Sequence, residues 1–129
     1  MSFSLIFIDL DDFKYVNGNY GHHVGDLVLA KVAKVLRTNM CAKDIVGRWG
    51  GDEFIAIMPN MDLKNAKKIV ERLRSKLEKM EILAEGRRFK VSMSAGVVQC
   101  GENFQSWLDM IEEADRLMYE DKNKKKKAL

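Results

Sequence analysis

Apolar positions along the 129-residue chain change their period from segment to segment. Phe3-Ser4-Leu5-Ile6-Phe7-Ile8 is apolar almost throughout, as for a strand covered on both faces, and it ends at Asp9. Phe13-Lys14-Tyr15-Val16 reads as a short helix broken by Asn17-Gly18-Asn19-Tyr20-Gly21. Asp11 and Asp12 precede it, where acids suit the positive end of a helix dipole. From His22 to Met40, Val24, Leu27, Val28, Val32, Val35 and Leu36 recur at helical spacing. A second amphipathic helix, capped by Asp62, carries Leu63, Ala66, Val70, Leu73, Leu77 and Met80 on one side. Glu85-Gly86-Arg87 reads as a turn. Val91, Met93, Ala95 and Val97 then alternate with Ser92, Ser94 and Gly96, a strand half covered by small residues. Trp107, Ile111, Ala114 and Met118 mark a last helix that runs into a lysine-rich end.

Between the two long helices lies Asp44–Trp49, of strand composition, then Gly50-Gly51-Asp52-Glu53, then the apolar run Phe54–Met58 stopped by Pro59. Two strands joined at a Gly-Gly predict a hairpin, because glycine takes up positive φ without steric cost. The order β-α-α-β-β-α-β-α predicts an α+β fold. Its sheet is expected to be mostly antiparallel with flanking helices, of the ferredoxin-like or polymerase-palm type.

Composition narrows the functional classes. The length fits one domain, and 47% apolar with 32% charged residues are globular proportions. Lys122 and Lys124 to Lys127 hold much of the +3 net charge, so the body is near neutral and no nucleic-acid-binding face is expected. No apolar run approaches the roughly 20 residues that span a bilayer, and no secretory leader is read. Cys41 and Cys100 show neither metal-ligand nor disulfide spacing, and His22 and His23 have no further histidine for a zinc site. Free thiols and a cytoplasmic location are expected.

The acids give the chemistry. With the first strand beside the hairpin, Asp9 and the adjacent Asp52 and Glu53 would face a common cleft. Three carboxylates without histidine or thiolate make an oxygen-rich site suited to Mg²⁺ or Mn²⁺, which typically bridge carboxylates to substrate phosphates. The amides around Asp12 and Phe13, with Lys14 and Lys122, would supply donors for those phosphates. Neither a P-loop nor a Rossmann glycine pattern is present.

Gly50-Gly51-Asp52-Glu53-Phe54 spells the signature of the diguanylate cyclase (GGDEF) family, and the likeness continues on both sides. Asp9-Leu10-Asp11-Asp12-Phe13-Lys14 resembles its D-x-D-x-F-K segment, and Asn17 through Asp26 its N-D-x-x-G-H-x-x-G-D segment. Ser92 to Val97 is similar to its late strand, and Ala114-Asp115 with Met118-Tyr119 to its A-D-x-x-x-Y helix. The resemblance covers nearly the whole chain. It implies a nucleotidyl-cyclase palm over residues 1–121, followed by a lysine-rich tail at 122–129. The implied reaction condenses two GTP molecules into cyclic di-GMP plus two pyrophosphates, across a homodimer of facing domains.

Carried over by position, Asp9, the Leu10 carbonyl, Asp52 and Glu53 would hold the metal, with Asp52 and Glu53 catalytic. Asn17 and Asp26 would read the guanine edge, with Asp26 disfavouring adenine. Phe13, Lys14 and Lys122 would hold phosphates, and Gly51 would let the nucleotide approach the hairpin. There are departures. Gly18 stands where the family has aspartate. The inhibitory R-x-x-D motif reads Cys41-Ala42-Lys43-Asp44, so only Asp44 of that site remains. Lys125-Lys126-Lys127 replaces the closing G-R-N, with Lys126 in the place of a phosphate-binding arginine. The family's opening helix is absent, so the chain is expected to be a fragment with a sensory domain upstream. Two other readings compete: a GTP-binding module that regulates a partner without turnover, and a palm-type nucleic-acid enzyme.

Overall fold

The computed structural model describes the backbone of residues 2–128 and the side chains of residues 2–125. Strands β1 (Phe3–Leu10), β2 (Ile45–Arg48), β3 (Glu53–Pro59) and β6 (Met93–Cys100) form one sheet in the order β2-β3-β1-β6. Every neighbour pair in it is antiparallel. Helices α1 (Phe13–Tyr20), α2 (His22–Thr38), α3 (Leu63–Lys79) and α4 (Trp107–Ala128) complete the layers. A small hairpin, β4 (Ile82–Ala84) with β5 (Arg87–Phe89), stands apart from the main sheet. This is the expected α+β, ferredoxin-like arrangement.

Side-chain parity assigns the faces. Successive residues of a strand point to opposite sides, so Ile6, Ile8 and Leu10 face α1, α2 and α3. With Phe54, Ala56, Met58, Met93 and Ala95 they build the larger core. Leu5 and Phe7 turn the other way, against Ala114 and Met118 of α4. The interior of β1 is therefore covered on both sides, as its unbroken apolar run predicts. β3, although equally apolar, is covered more fully on one face: Phe54, Ala56 and Met58 are buried while Ile55 and Ile57 are only half-buried. Trp107, expected in the helix stripe, is 61% exposed.

Gly96 sets how closely α4 sits. A Cβ there would lie 1.9 Å from the Ala114 carbonyl oxygen and 2.6 Å from the Met118 amide nitrogen, so only a bare backbone admits the helix. The small-residue side of β6 is thus a seat for α4, and Ser94 is fully buried there.

Several boundaries differ from the sequence reading. α1 runs through Asn17, Gly18 and Asn19 because the Gly21 amide donates to the Asn17 carbonyl, and the chain turns only at Gly21, with φ 88°. Asp62 caps α3 as expected, accepting from the Asn65 amide at 2.8 Å. The turn at Glu85-Gly86 is real, with φ of 54° and 72°, but it joins two strands too short to show a period. The lysine-rich end is no separate tail, since α4 continues to Ala128.

Candidate functional site

The same parity that sends Leu5 and Phe7 toward α4 sends Asp9 there too. Asp9 is only 8% exposed and stands opposite Glu53 in the β1–β3 register. Its Oδ2 accepts a hydrogen bond from Lys122 Nζ at 2.5 Å, while its Oδ1 is buried with no partner among the described residues. Burial raises the Asp9 pKa and the charge of Asp52 raises it further, against the lowering effect of Lys122. Glu53 is also raised, by burial and then by Asp9, Asp52 and Asp115. The acids feel one another strongly.

Backbone bonds hold the hairpin mouth against β1. The Leu10 amide donates to the Asp52 carbonyl at 3.0 Å, and the Trp49 amide to the Glu53 carbonyl at 2.8 Å. Arg48 folds over the bend, donating from Nε to the Gly50 carbonyl and from Nη2 to the Gly51 carbonyl, at 3.0 and 2.8 Å. A Cβ on Gly50 would meet Glu53 Oε1 at 2.5 Å, whereas one on Gly51 would meet nothing within 4 Å. The first glycine lies against the movable end of Glu53, and the second leaves the bend open.

The expected three-carboxylate convergence is only partly realised. Asp9 and Glu53 are in register with Asp52 beside them, yet among the described residues no three acids, histidines or cysteines form a group able to hold a metal. Mutual repulsion spaces the carboxylates, and Lys122 draws one Asp9 oxygen toward α4. What remains is a set of oxygen donors with one buried carboxylate oxygen unpartnered. Such donors fit a hard cation rather than zinc.

Around this centre, α1 begins at Phe13 behind Asp12, which has φ 57° and makes no side-chain cap. The first-turn amides are therefore not taken up by a capping carboxylate. Phe13 is buried and Lys14 is exposed. The Asn17 side chain lies against Gly25, where a Cβ would fall 1.9 Å from its Oδ1. Asp26 is exposed at a cleft of about 530 Å³ bounded by Leu29, Ala33, Val46, Arg48 and Phe54, within the size range of small-molecule pockets, and Asn17 does not line it. Asp44 is occupied within its own loop, accepting from the Cys41 amide at 2.8 Å. The side chain of Lys126 lies outside the described residues.

Comparison with known proteins decides the family. The model of the diguanylate cyclase GGDEF domain matches residues 1–128. The chain belongs to the GGDEF diguanylate cyclase family. It is 36% identical over 119 residues to diguanylate cyclase A of Treponema denticola, covering 92% of this chain and 32% of that protein. It is 34% identical over 120 residues to the probable diguanylate cyclase DgcE of Escherichia coli, covering 93% of this chain and 11% of that one. The chain thus spans a third or less of these two curated relatives. Among solved structures it resembles diguanylate cyclase SiaD from Pseudomonas aeruginosa, crystallised with its activator SiaC. There the TM-score is 0.90 at 29% identity, over 95% of this chain and 47% of that one. The active GGEEF domain of a Vibrio cholerae diguanylate cyclase superposes with TM-score 0.88 at 27% identity, over 96% and 78% of the two chains.

In this GGDEF domain several structural residues escaped the sequence reading. Asp11 is not a helix-dipole acid. It accepts from Ser92 Oγ at 2.7 Å, from Ser94 Oγ at 2.6 Å and from Lys125 Nζ at 2.9 Å. Burial would raise its pKa, but the bonds from Lys125, Ser94 and Ser92 outweigh that and hold it below the usual range. Arg74 of α3 pairs with Asp121 of α4 at 2.5 Å, and the same Asp121 oxygen accepts from the Ala95 amide at 2.9 Å. The spacing of Asp121, Lys122 and Lys125 on one helix was the available signal, masked by the lysine-rich composition around it.

Proposed function

We propose that this domain condenses two GTP molecules into cyclic di-GMP, two copies meeting so that each presents one nucleotide to the other. The observation that carries the reading is the pairing of Asp9 with Glu53 beside Asp52, with one buried Asp9 oxygen unpartnered. Asp9, the Leu10 carbonyl, Asp52 and Glu53 would hold Mg²⁺ or Mn²⁺, which when bound neutralises charge and polarises the reacting oxygens. The uncapped amides at Phe13, together with Lys14 and Lys122, cradle the β- and γ-phosphates. Lys126 is assigned to the same phosphates from its sequence position.

Asp26, in its cleft, and Asn17, held against Gly25, accept and donate to the guanine edge. Gly51 leaves room for the nucleotide at the hairpin. In each half-reaction a 3′-oxygen bonds to the α-phosphorus of the facing nucleotide and the bond to the bridging oxygen breaks. Pyrophosphate leaves and the hydroxyl proton passes to solvent. Such in-line transfer rests on positioning and charge stabilisation, which this set of residues supplies.

A GTP substrate supports a cytoplasmic location, the relatives' greater length supports a longer protein whose sensory region would lie upstream, and no nucleic acid is required. No helix among the described residues is long and apolar enough to cross a membrane. The test is incubation of the purified domain with radiolabelled GTP and Mg²⁺ or Mn²⁺, at concentrations high enough for two copies to meet. Formation of cyclic di-GMP is expected, and bound GTP without any cyclic dinucleotide would overturn turnover. That second outcome is what a regulatory GTP-binding module predicts. The observation favouring it is exposed Gly18 in place of the family's aspartate beside Asn17, with open space at its Cβ. Asp44, committed to its own loop and without the motif's arginine, is expected to bind product weakly. Submicromolar binding of cyclic di-GMP there by calorimetry would refute this.

A further inference from the structure

The turn between β1 and α1 carries the Leu10 carbonyl and the first amides of α1, the groups assigned above to metal and phosphate. Its central residue, Asp12, has φ 57°, a left-handed conformation that L-residues rarely hold unless their surroundings enforce it. The enforcement comes from both sides. The Leu10 amide is bonded to the Asp52 carbonyl, and Phe13 is buried in the core. Between them Asp11 is fastened at four points. Its amide donates to the Ser92 carbonyl at 2.9 Å, its Oδ1 accepts from Ser94 Oγ, and its Oδ2 accepts from Ser92 Oγ and Lys125 Nζ. Its side chain is 14% exposed.

We infer that Asp11 is a positioning residue for triphosphate and metal binding. It ties the turn to the start of β6 and to α4, fixing where the Leu10 carbonyl and the Phe13 amide point. The inference rests on the function proposed above and assigns a role to a residue outside its set of contacts. Asp11 lies two residues from Asp9, just past the end of β1, and both its oxygens already carry protein donors, so it acts through the turn. Lys125, which also donates to the Met93 carbonyl, stands where the family's closing G-R-N has glycine. In this chain α4 therefore adds a charged anchor to the two serine donors. A partner that orients ligating groups is typically worth ten- to a hundredfold in the affinity of what they hold.

The experiment compares wild type, Asp11→Ala and Asp11→Asn. Three readouts are taken: affinity for a non-hydrolysable GTP analogue with Mg²⁺ by calorimetry, affinity for guanosine by NMR titration, and thermal midpoint. Asp11→Ala is expected to weaken the analogue on the order of tenfold while leaving guanosine affinity unchanged. Asp11→Asn keeps one carbonyl acceptor and is expected to recover part of the loss. Analogue affinity in Asp11→Ala within twofold of wild type overturns the positioning role alone. So does a parallel loss of analogue and guanosine, which would mark general disorder. A wild-type domain that binds neither ligand overturns the nucleotide reading as well. Should Asp11→Ala not fold, the Ser92→Ala/Ser94→Ala pair keeps the carboxylate but strips its orienting donors, and the same selective loss is expected.

Discussion

Asp9 near the end of β1 and Asp11 in the turn beyond it sit two residues apart, and α4 sends a lysine to each, yet their surroundings are opposite. Asp11 has three side-chain donors on its two oxygens, and its pKa is lowered. Asp9 has one donor, one buried oxygen without a partner among the described residues, and a pKa raised by burial and by the carboxylate of Asp52. One acid is satisfied by the fold and the other is left in want of positive charge. Exposure alone does not separate the two, because their side chains are 11% and 14% exposed. The balance of donors against like charges does.

The strongest way to break the contrast is to discharge the acid beside the unsatisfied one. Asp52→Asn removes a negative charge without adding volume, and cyclic di-GMP production is expected to fall at least about a hundredfold with an unchanged far-ultraviolet circular dichroism spectrum. Near-normal turnover would show that the metal assignment is wrong. Gly96→Ala attacks both acids at once through α4. The new Cβ collides with the Ala114 carbonyl, so the helix must lift, taking Lys122 and Lys125 with it. A loss of about 1–3 kcal/mol in urea denaturation is expected, as for other overpacked sites.

Asp26→Ala works on the other face and sharpens the comparison by leaving both acids untouched. It is expected to raise the KM for GTP about tenfold, the worth of one hydrogen bond to a charged group, and to relax discrimination against ATP. Unchanged selectivity would exclude Asp26 from base reading.

The smallest effect is on stability against pH, and here the two groups should differ in sign. A carboxyl whose folded pKa lies above its unfolded value costs stability at neutral pH, and the cost disappears below the unfolded value. Glu53 is such a group. Glu53→Gln should therefore raise the melting temperature of metal-free protein near pH 7 and change nothing below about pH 4. Asp11 is the reverse case, its folded pKa being lowered. Asp11→Asn should lower the melting temperature near pH 7, and the deficit should close only as the pH falls through the folded pKa of Asp11. Shifts of the same sign in the two variants, measured by differential scanning calorimetry, would erase the distinction drawn between them.

Much of this was legible in the chain. The unbroken apolar run before Asp9 marked a doubly covered strand, and Gly50-Gly51 between apolar segments marked the hairpin that brings Glu53 opposite it, although neither glycine adopts the positive φ expected of that turn. Both are local signals with one dominant cause. What stayed hidden depended on distance. Ser92 and Ser94 read as small residues on a strand, and nothing near them in sequence announces Asp11 just beyond the neighbouring strand. Lys125 was lost in a run of lysines because composition does not say which of them a helix turns inward. Arg74 and Asp121 are 47 positions apart. The strands at Ile82–Ala84 and Arg87–Phe89 were missed for another reason: three residues do not complete enough alternations to show a period, and Phe89 is held by stacking on Tyr20 at 4.6 Å.

The parity of β1 has an evolutionary consequence. Adding or deleting one residue between Phe3 and Ile8 would exchange odd for even, rotating the acids into the hydrocarbon interior beneath α2 while Ile8 and Leu10 took their places under α4. The letters of that strand can therefore change at far lower cost than its count.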